Sequence, residues 1–406
     1  MTTRFDTPSG TLEGPVDALD AARGWLLVVL GVGMLVAIWG AVFTFTVYAG
    51  RLAATFGLSS LQVSSVFSVT IATFLVAGSV FGVLAARYPL RPVVAAAGVG
   101  LVAAAAAVQI ATSYVGLVAA FSLLGVAGGT VYIVIVSLVP QWFDAHQGGA
   151  MGVTMTGSGL GVLMMPFVWL WLFGRIGTRT AIGVVFIAAA AVVLASSLVY
   201  RRPRDDARDV SPLDTAWIRR RVADPRFVAA SLGYGLIWCW YYVLSSHLVD
   251  ILTTAGIGAT VAATSFGTIG GVSILARVGS GFVGDRVGRR QTFAAGVVLA
   301  GLCVAVLPMV HARAQLYLTL AGFGVSLGAV APLWSPIIVT RFGAEHATAA
   351  VGLLKVPQAG AAFAVPLVVS ALYVTTNGYT DPLTALGLVT VLGAFLFYWG
   401  TAPGSG

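Results

Sequence analysis

Gly281-Phe-Val-Gly-Asp285-Arg286-Val-Gly288-Arg289-Arg290 is a charged, glycine-containing stretch set between two long apolar runs, near 260–284 and 292–311. A second segment, Gly82-Val-Leu-Ala-Ala86-Arg87-Tyr-Pro89-Leu-Arg91, begins 199 residues earlier and also separates two apolar runs. Repetition at half the chain length marks a duplicated unit. The copies are not identical, since Ala86 stands where Asp285 does and Pro89 where Gly288 does.

A helix crossing ~30 Å of hydrocarbon needs about 20 apolar residues. Runs of that length lie near 24–50, 60–86, 92–112, 114–140, 149–174 and 180–200. A second set lies near 227–250, 260–284, 292–311, 314–340, 347–372 and 382–401. They are too long and too uniformly apolar for the alternating strands of a membrane barrel. The expected fold is an all-α membrane protein of twelve transmembrane helices in two pseudo-symmetric six-helix bundles. Residues 23–200 and 227–401 would form the bundles, joined by a cytoplasmic linker over 201–226. Residues 1–22 are expected as a disordered cytoplasmic tail rather than a cleaved leader, and 402–406 as a C-terminal tail. Composition agrees: 58% of residues are hydrophobic and 9% charged, against about 45–50% and about 25% in soluble chains. Glycine clusters in the fourth, fifth and eighth runs would let helices approach closely. Pro336, Pro357 and Pro366 are expected to bend the tenth and eleventh.

The net charge of +8, from 22 basic and 14 acidic residues, does not imply nucleic acid. With both termini inside, 16 of the arginines fall in cytoplasmic segments and 4 (Arg51, Arg175, Arg179 and Arg313) on the opposite side. Such a split orients a membrane protein. The inner membrane of a prokaryote is the expected setting. Cys239 and Cys303 lie in apolar stretches without paired spacing and read as small buried hydrophobes. The four histidines have no metal-ligand spacing, GxxxxGK[ST] is absent, and no catalytic pair lies within a run. Neither a metal, another cofactor nor an enzymatic activity is expected.

Two cations remain inside the apolar runs: Arg277 and Lys355, the single lysine of the chain. A cation at the bilayer centre costs at least ~2.5–3.5 kcal/mol, so it faces a polar cavity or a partner. No acid lies comparably deep, and the natural partner is an anion from outside the chain. Lys355 lies about eight residues into its run, so its ammonium either lines a cavity or snorkels to the interface. Trp39, Tyr132, Trp238, Tyr241, Tyr242 and Trp334 are the aromatic candidates for the wall of such a cavity. Tyr48 reads as a member of an interfacial belt. His247 and Asp250, near the outer end of the seventh run, are candidates for proton coupling.

The loop Gly281–Arg290 resembles the signature of the major facilitator superfamily, with Asp285, Arg286, Arg289 and Arg290 as its gating charges. A closer resemblance is carried by His247–Arg290 and by Gln141-Trp-Phe-Asp-Ala-His-Gln-Gly-Gly-Ala-Met-Gly-Val-Thr-Met-Thr-Gly-Ser-Gly-Leu-Gly161. Both look like monocarboxylate transporters and the related oxalate–formate antiporters. That resemblance implies a twelve-helix carrier of small carboxylates working by alternating access. The alternatives are a major facilitator carrier of another solute, a drug or a sugar, with Arg277 structural, or a non-transporting membrane receptor. The resemblance implies a carboxylate-binding arginine at Arg277, an eleventh-helix lysine at Lys355 or, one turn on, at Gln358, and a fourth-helix tyrosine at Tyr132. Monocarboxylate transporters place an acid one turn before the arginine, whereas this chain has Ser273. The implied partners are a small carboxylate, a co-transported proton or a counter-transported anion, and the lipid bilayer. The carrier is expected to work as a monomer.

Overall fold

The computed structural model describes residues 15–87, 89–143, 147–201, 215–342 and 347–402, and among these every regular element is helical. Twelve helical segments are long and apolar enough to cross a membrane. In the first half these are α1 (Pro15–Val42) continued by α2 (Phe45–Phe56), then α3 (Ser60–Arg87), α4 (Leu90–Ile110), α5 (Tyr114–Leu138), α6 (Gln147–Phe173) and α7 (Thr178–Ser197). The short α8 (Thr215–Val222) precedes the second half. There α9 (Pro225–Ile237) is continued by α10 (Cys239–Thr254), then α11 (Ala259–Val287), α12 (Arg289–Val306), α13 (Arg313–Phe342), α14 (Ala347–Thr376) and α15 (Thr380–Gly400). An even number of crossings returns the chain to one face, the terminal face. The opposite face is the far face.

The first and seventh runs differ from expectation, because each is two helices rather than one. The breaks fall at Phe43–Thr44 and at Trp238, in the first crossing of each half. Interrupted crossings in corresponding positions of two repeats point to a carrier's binding site. Neither break contains a proline. At the first, the Thr44 hydroxyl donates to the Gly40 carbonyl and accepts from Trp169 Nε1 at 2.8 Å, so the interruption leaves those groups satisfied. By contrast, α13 continues through Pro332 and Pro336, and α14 through Pro357 and Pro366.

Each half repeats the same packing: α3 on α5, α4 on α7 and α1 on α6 are matched by α11 on α13, α12 on α15 and α9 on α14. The halves meet along two further equivalent pairs, α3 with α14 and α6 with α11, and where α2 meets α10. Glycine permits the α6–α11 approach. A Cβ built on Gly270 would stand 2.7 Å from the Gly159 carbonyl oxygen and 2.9 Å from the Leu163 nitrogen. Overpacking a contact this tight costs about 1–3 kcal/mol. Gly270→Leu is therefore expected to abolish flux in proteoliposomes, whereas Gly271→Ala, whose Cβ meets only the Leu163 side chain at 3.4 Å, keeps it. Equal flux in both variants would show that this contact does not limit transport.

Of the termini, residues 1–14 and 403–406 lie outside the described residues, as does 202–214 of the segment expected as linker. α1 already begins at Pro15, inside the stretch expected as a tail. α8 is fastened under the second half: the buried Trp217 meets Phe227 edge-on, and Arg221 lies over the Trp217 and Phe342 rings while pairing with Asp224 at 3.4 Å.

The loop between α11 and α12 explains its own sequence. Gly288 takes φ 113°, a conformation that suits glycine. Pro89, at the equivalent place before α4, has φ −56°, so the two copies turn differently. Asp285 pairs with Arg289 at 3.5 Å, and both are solvent-exposed. Arg290 makes the long-range contact, donating to the Tyr398 carbonyl at 2.5 Å and to Thr401 Oγ1 at 3.3 Å. Arg286 is exposed at the end of α11. Cys239 and Cys303 are free thiols; His146, His346 and Asp144 lie outside the described residues.

Candidate functional site

The two cations of the apolar runs come from α11 and α14, and both are turned toward the first half. Lys355 is buried, with Nζ 5.4 Å from the centroid of the Tyr132 ring on α5. The lysine therefore faces the opposite bundle rather than snorkelling. Its ammonium has no hydrogen-bond or ion-pair partner among the described residues, and a cation over an aromatic face is stabilised by the ring's negative face. Arg277 is half-buried and reaches α6, where Nη1 donates to the Met155 carbonyl and Nη2 donates to Ser158 Oγ at 3.0 Å. Its Nε is buried and unpartnered.

Among the described residues no carboxylate pairs with either cation, and the ion pairs are Arg221–Asp224 and Asp285–Arg289. Ser273, standing one turn before Arg277, donates to the Gly270 carbonyl at 2.7 Å. It is an ordinary helix serine, so no acid stands one turn before Arg277. Arg277, Lys355, Tyr132 and Ser158 lie at similar depth, each six to eleven residues from the terminal-face end of its helix.

Aromatic rings surround them. Trp39 packs on Tyr132 at 5.1 Å and stacks on Phe43 at 5.0 Å, with Phe74 edge-on. Phe43, at the break in the first crossing, meets Tyr241 of α10 at 5.3 Å across the halves. Trp238, at the other break, lies between Tyr234 and Tyr241, and its Nε1 is buried without a partner. Trp334 packs on Tyr234 at 5.1 Å. Gln358, three residues beyond Lys355, donates from Nε2 to the Tyr242 hydroxyl at 2.9 Å, leaving Oε1 buried and unpartnered. Tyr48 differs from expectation: it is fully buried, and its hydroxyl donates to the Ala41 carbonyl at 2.7 Å.

Ser158, Met155, Phe43 and Phe74 were not singled out from the sequence. Ser158 is embedded in Thr156-Gly-Ser-Gly-Leu-Gly161, where the glycines mark close packing and hide the one side chain that reaches Arg277.

His247 and Asp250 lie elsewhere. They line a far-face cleft of about 260 Å³ between α2, α3, α10 and the ends of α14 and α15, with Ser64, Tyr373 and Tyr379. Ser64 gives its own proton to the Ser60 carbonyl, so its oxygen accepts from His247 Nε2 at 3.3 Å, and the same ring nitrogen donates to the Pro366 carbonyl at 3.2 Å. One imidazole thus ties α3 and α14 from opposite halves. Thr46 Oγ1 adds a second tie by accepting from the Val249 nitrogen at 2.8 Å. Loss of a hydrogen bond worth about 1 kcal/mol changes a two-state population about fivefold. In His247→Phe, a cysteine placed at the buried Ser246 is expected to react at least about fivefold faster with an impermeant thiol reagent. Unchanged labelling would mean that His247 does not hold the far face shut.

The pattern of the Major Facilitator Superfamily matches residues 29–356. The chain belongs to this superfamily. Relatives of this facilitator are distant. Monocarboxylate transporter 13 of Rattus norvegicus is 23% identical over 92% of this chain and 88% of its own length. The MFS-type transporter pynF of Aspergillus niger is 25% identical over 80% and 75%. Among solved structures, the peptide transporter POT in complex with sulfate superposes with a TM-score of 0.73 at 18% identity, covering 92% of this chain and 93% of that one. This similarity establishes the twelve-helix, two-bundle fold. The facilitator is a transporter and not an enzyme.

Proposed function

We propose that this facilitator carries small organic carboxylates, of the lactate and pyruvate or oxalate and formate kind, by alternating access of its two bundles. The observation that carries this reading is the pair of deep cations, Arg277 and Lys355, with no carboxylate beside either among the described residues. The similarity to monocarboxylate transporter 13 supports it. In this mechanism the substrate carboxylate takes two donors of Arg277 in a bidentate hydrogen bond. Lys355 supplies the second positive charge. Tyr132, Trp39, Trp238, Tyr242, Gln358 and Trp334 shape and orient the remainder of the substrate.

Closing an empty site would desolvate two cations that have no counter-charge, and a bound anion offsets that cost. Exchange of one anion for another, or loaded transport in one direction, fits this arrangement better than coupling through an arginine–acid pair. His247 and Asp250, in the far-face cleft, are the groups we assign to any co-transported proton. The orientation proposed has both termini in the cytoplasm of a prokaryotic cell, with the terminal face inward. The arginine distribution supports it, and Arg51, Arg175 and Arg179 of the far face lie over Phe173, Trp171 and Phe56.

Flux of labelled lactate, pyruvate, oxalate and formate into proteoliposomes tests the reading. At least one is expected to enter faster than into protein-free vesicles. Absence of flux for all four, with uptake of a neutral sugar or a cationic drug, would overturn it.

A further inference from the structure

The two partners of Arg277 belong to the other bundle. Met155 and Ser158 sit on α6, Arg277 on α11, and these helices make one of the close contacts between the halves. The partners form a closed network. Ser158 Oγ donates to the Met155 carbonyl at 2.8 Å and accepts from Arg277 Nη2, while the same carbonyl accepts from Nη1. A hydroxyl and a carbonyl together thus present two adjacent oxygens to the guanidinium, the arrangement a carboxylate presents. Both are neutral acceptors, and hydrogen bonds to a charged acceptor are roughly twice as strong.

We infer that Ser158 and the Met155 carbonyl are an internal stand-in for the substrate carboxylate, a clasp that joins the bundles through Arg277 when the site is empty and is released when an anion takes the guanidinium. The inference rests on the carboxylate reading and adds to it a link between binding and movement. A carboxylate that captures Arg277 removes two bonds between the halves at the place where Gly159 and Gly270 bring their backbones together. The empty carrier keeps them and is held in the present conformation. Loaded carriers therefore cross more readily than empty ones, and exchange outruns net flux. Ser158 is a positioning residue, acting on the substrate only through Arg277.

Two variants test the clasp in purified, reconstituted full-length protein, with oxalate and lactate as probes. Ser158→Ala deletes one competitor of the anion without touching the bound substrate. It is expected to tighten anion binding about fivefold and to lower the ratio of exchange to net flux by a similar factor. Ser158→Asp places a carboxylate against Arg277. It is expected to raise the melting temperature and to weaken binding of both probes at least about 100-fold. A merely structural serine would give the opposite of the first result, weaker binding in a less stable protein. Ser158→Ala with wild-type affinity and an unchanged exchange ratio, or Ser158→Asp that still binds the probes, would overturn the clasp alone. Wild-type protein that binds neither probe and exchanges no carboxylate would overturn the carboxylate reading, and the clasp with it.

Discussion

Arg277→Ala is expected to reduce carboxylate flux by at least about 100-fold, close to 3 kcal/mol, while leaving the protein folded. The size follows from the chemistry. The guanidinium offers two parallel donors to a carboxylate in a site screened from water, where charge-assisted bonds are worth about 1.5–3 kcal/mol each. Folding loses less, because Arg277 is bonded to one carbonyl and one hydroxyl, with Nε already unpartnered. Arg277→Lys is expected to recover little, since an ammonium cannot reproduce the planar fork. Flux and melting temperature measured on the same preparations separate the two effects. A variant with normal melting and normal flux would make Arg277 a structural residue.

Lys355→Gln is expected to discriminate among substrates. Removing the second positive charge should weaken oxalate about tenfold more than lactate or formate, because a dianion interacts with both cations and a monoanion mainly with Arg277. Glutamine keeps hydrogen-bonding capacity and much of the length, so the change reports charge. The position of Nζ over Tyr132 gives a companion expectation. Tyr132→Leu withdraws the ring under the ammonium and should weaken the same dianion by a smaller factor, about threefold, consistent with an interaction of about 0.5–1 kcal/mol. Equal losses for monoanions and dianions in Lys355→Gln would remove the charge-counting role.

The twelve crossings and their duplication were legible because membrane helices carry a strong signal in run length, and because the two loops lie half a chain apart. The two deep cations were legible for the same reason, since anything charged inside an apolar run stands out. The interruptions were not. Prolines at 336, 357 and 366 drew attention to helices that continue, whereas the breaks fall at Phe43–Thr44 and Trp238. The first of them is stabilised by a tertiary partner, Trp169 bonding Thr44 across 125 positions of sequence, which local composition does not encode. Ser158 was hidden in the same way, as a small residue among glycines. His247 and Asp250 were found by residue type and neighbourhood, but only the folded chain separates their cleft from the cations. Tyr48 shows how depth misleads: it stands past the apolar core of the first run, yet its ring is buried against Trp169.

Binding of carboxylates to the purified carrier tests the central claim most directly, because it requires neither a direction of transport nor a coupling ion. A ligand that binds only the folded state raises apparent stability, by about 2.7 kcal/mol at a hundred times its dissociation constant. Melting temperatures would be measured for wild type and Arg277→Ala against lactate, pyruvate, formate and oxalate, with a neutral sugar and a cationic dye as controls. The account predicts that at least one carboxylate stabilises the wild type, that neither control does, and that Arg277→Ala loses the effect. Stabilisation by a control alone, or stabilisation by a carboxylate that survives in Arg277→Ala, would contradict it.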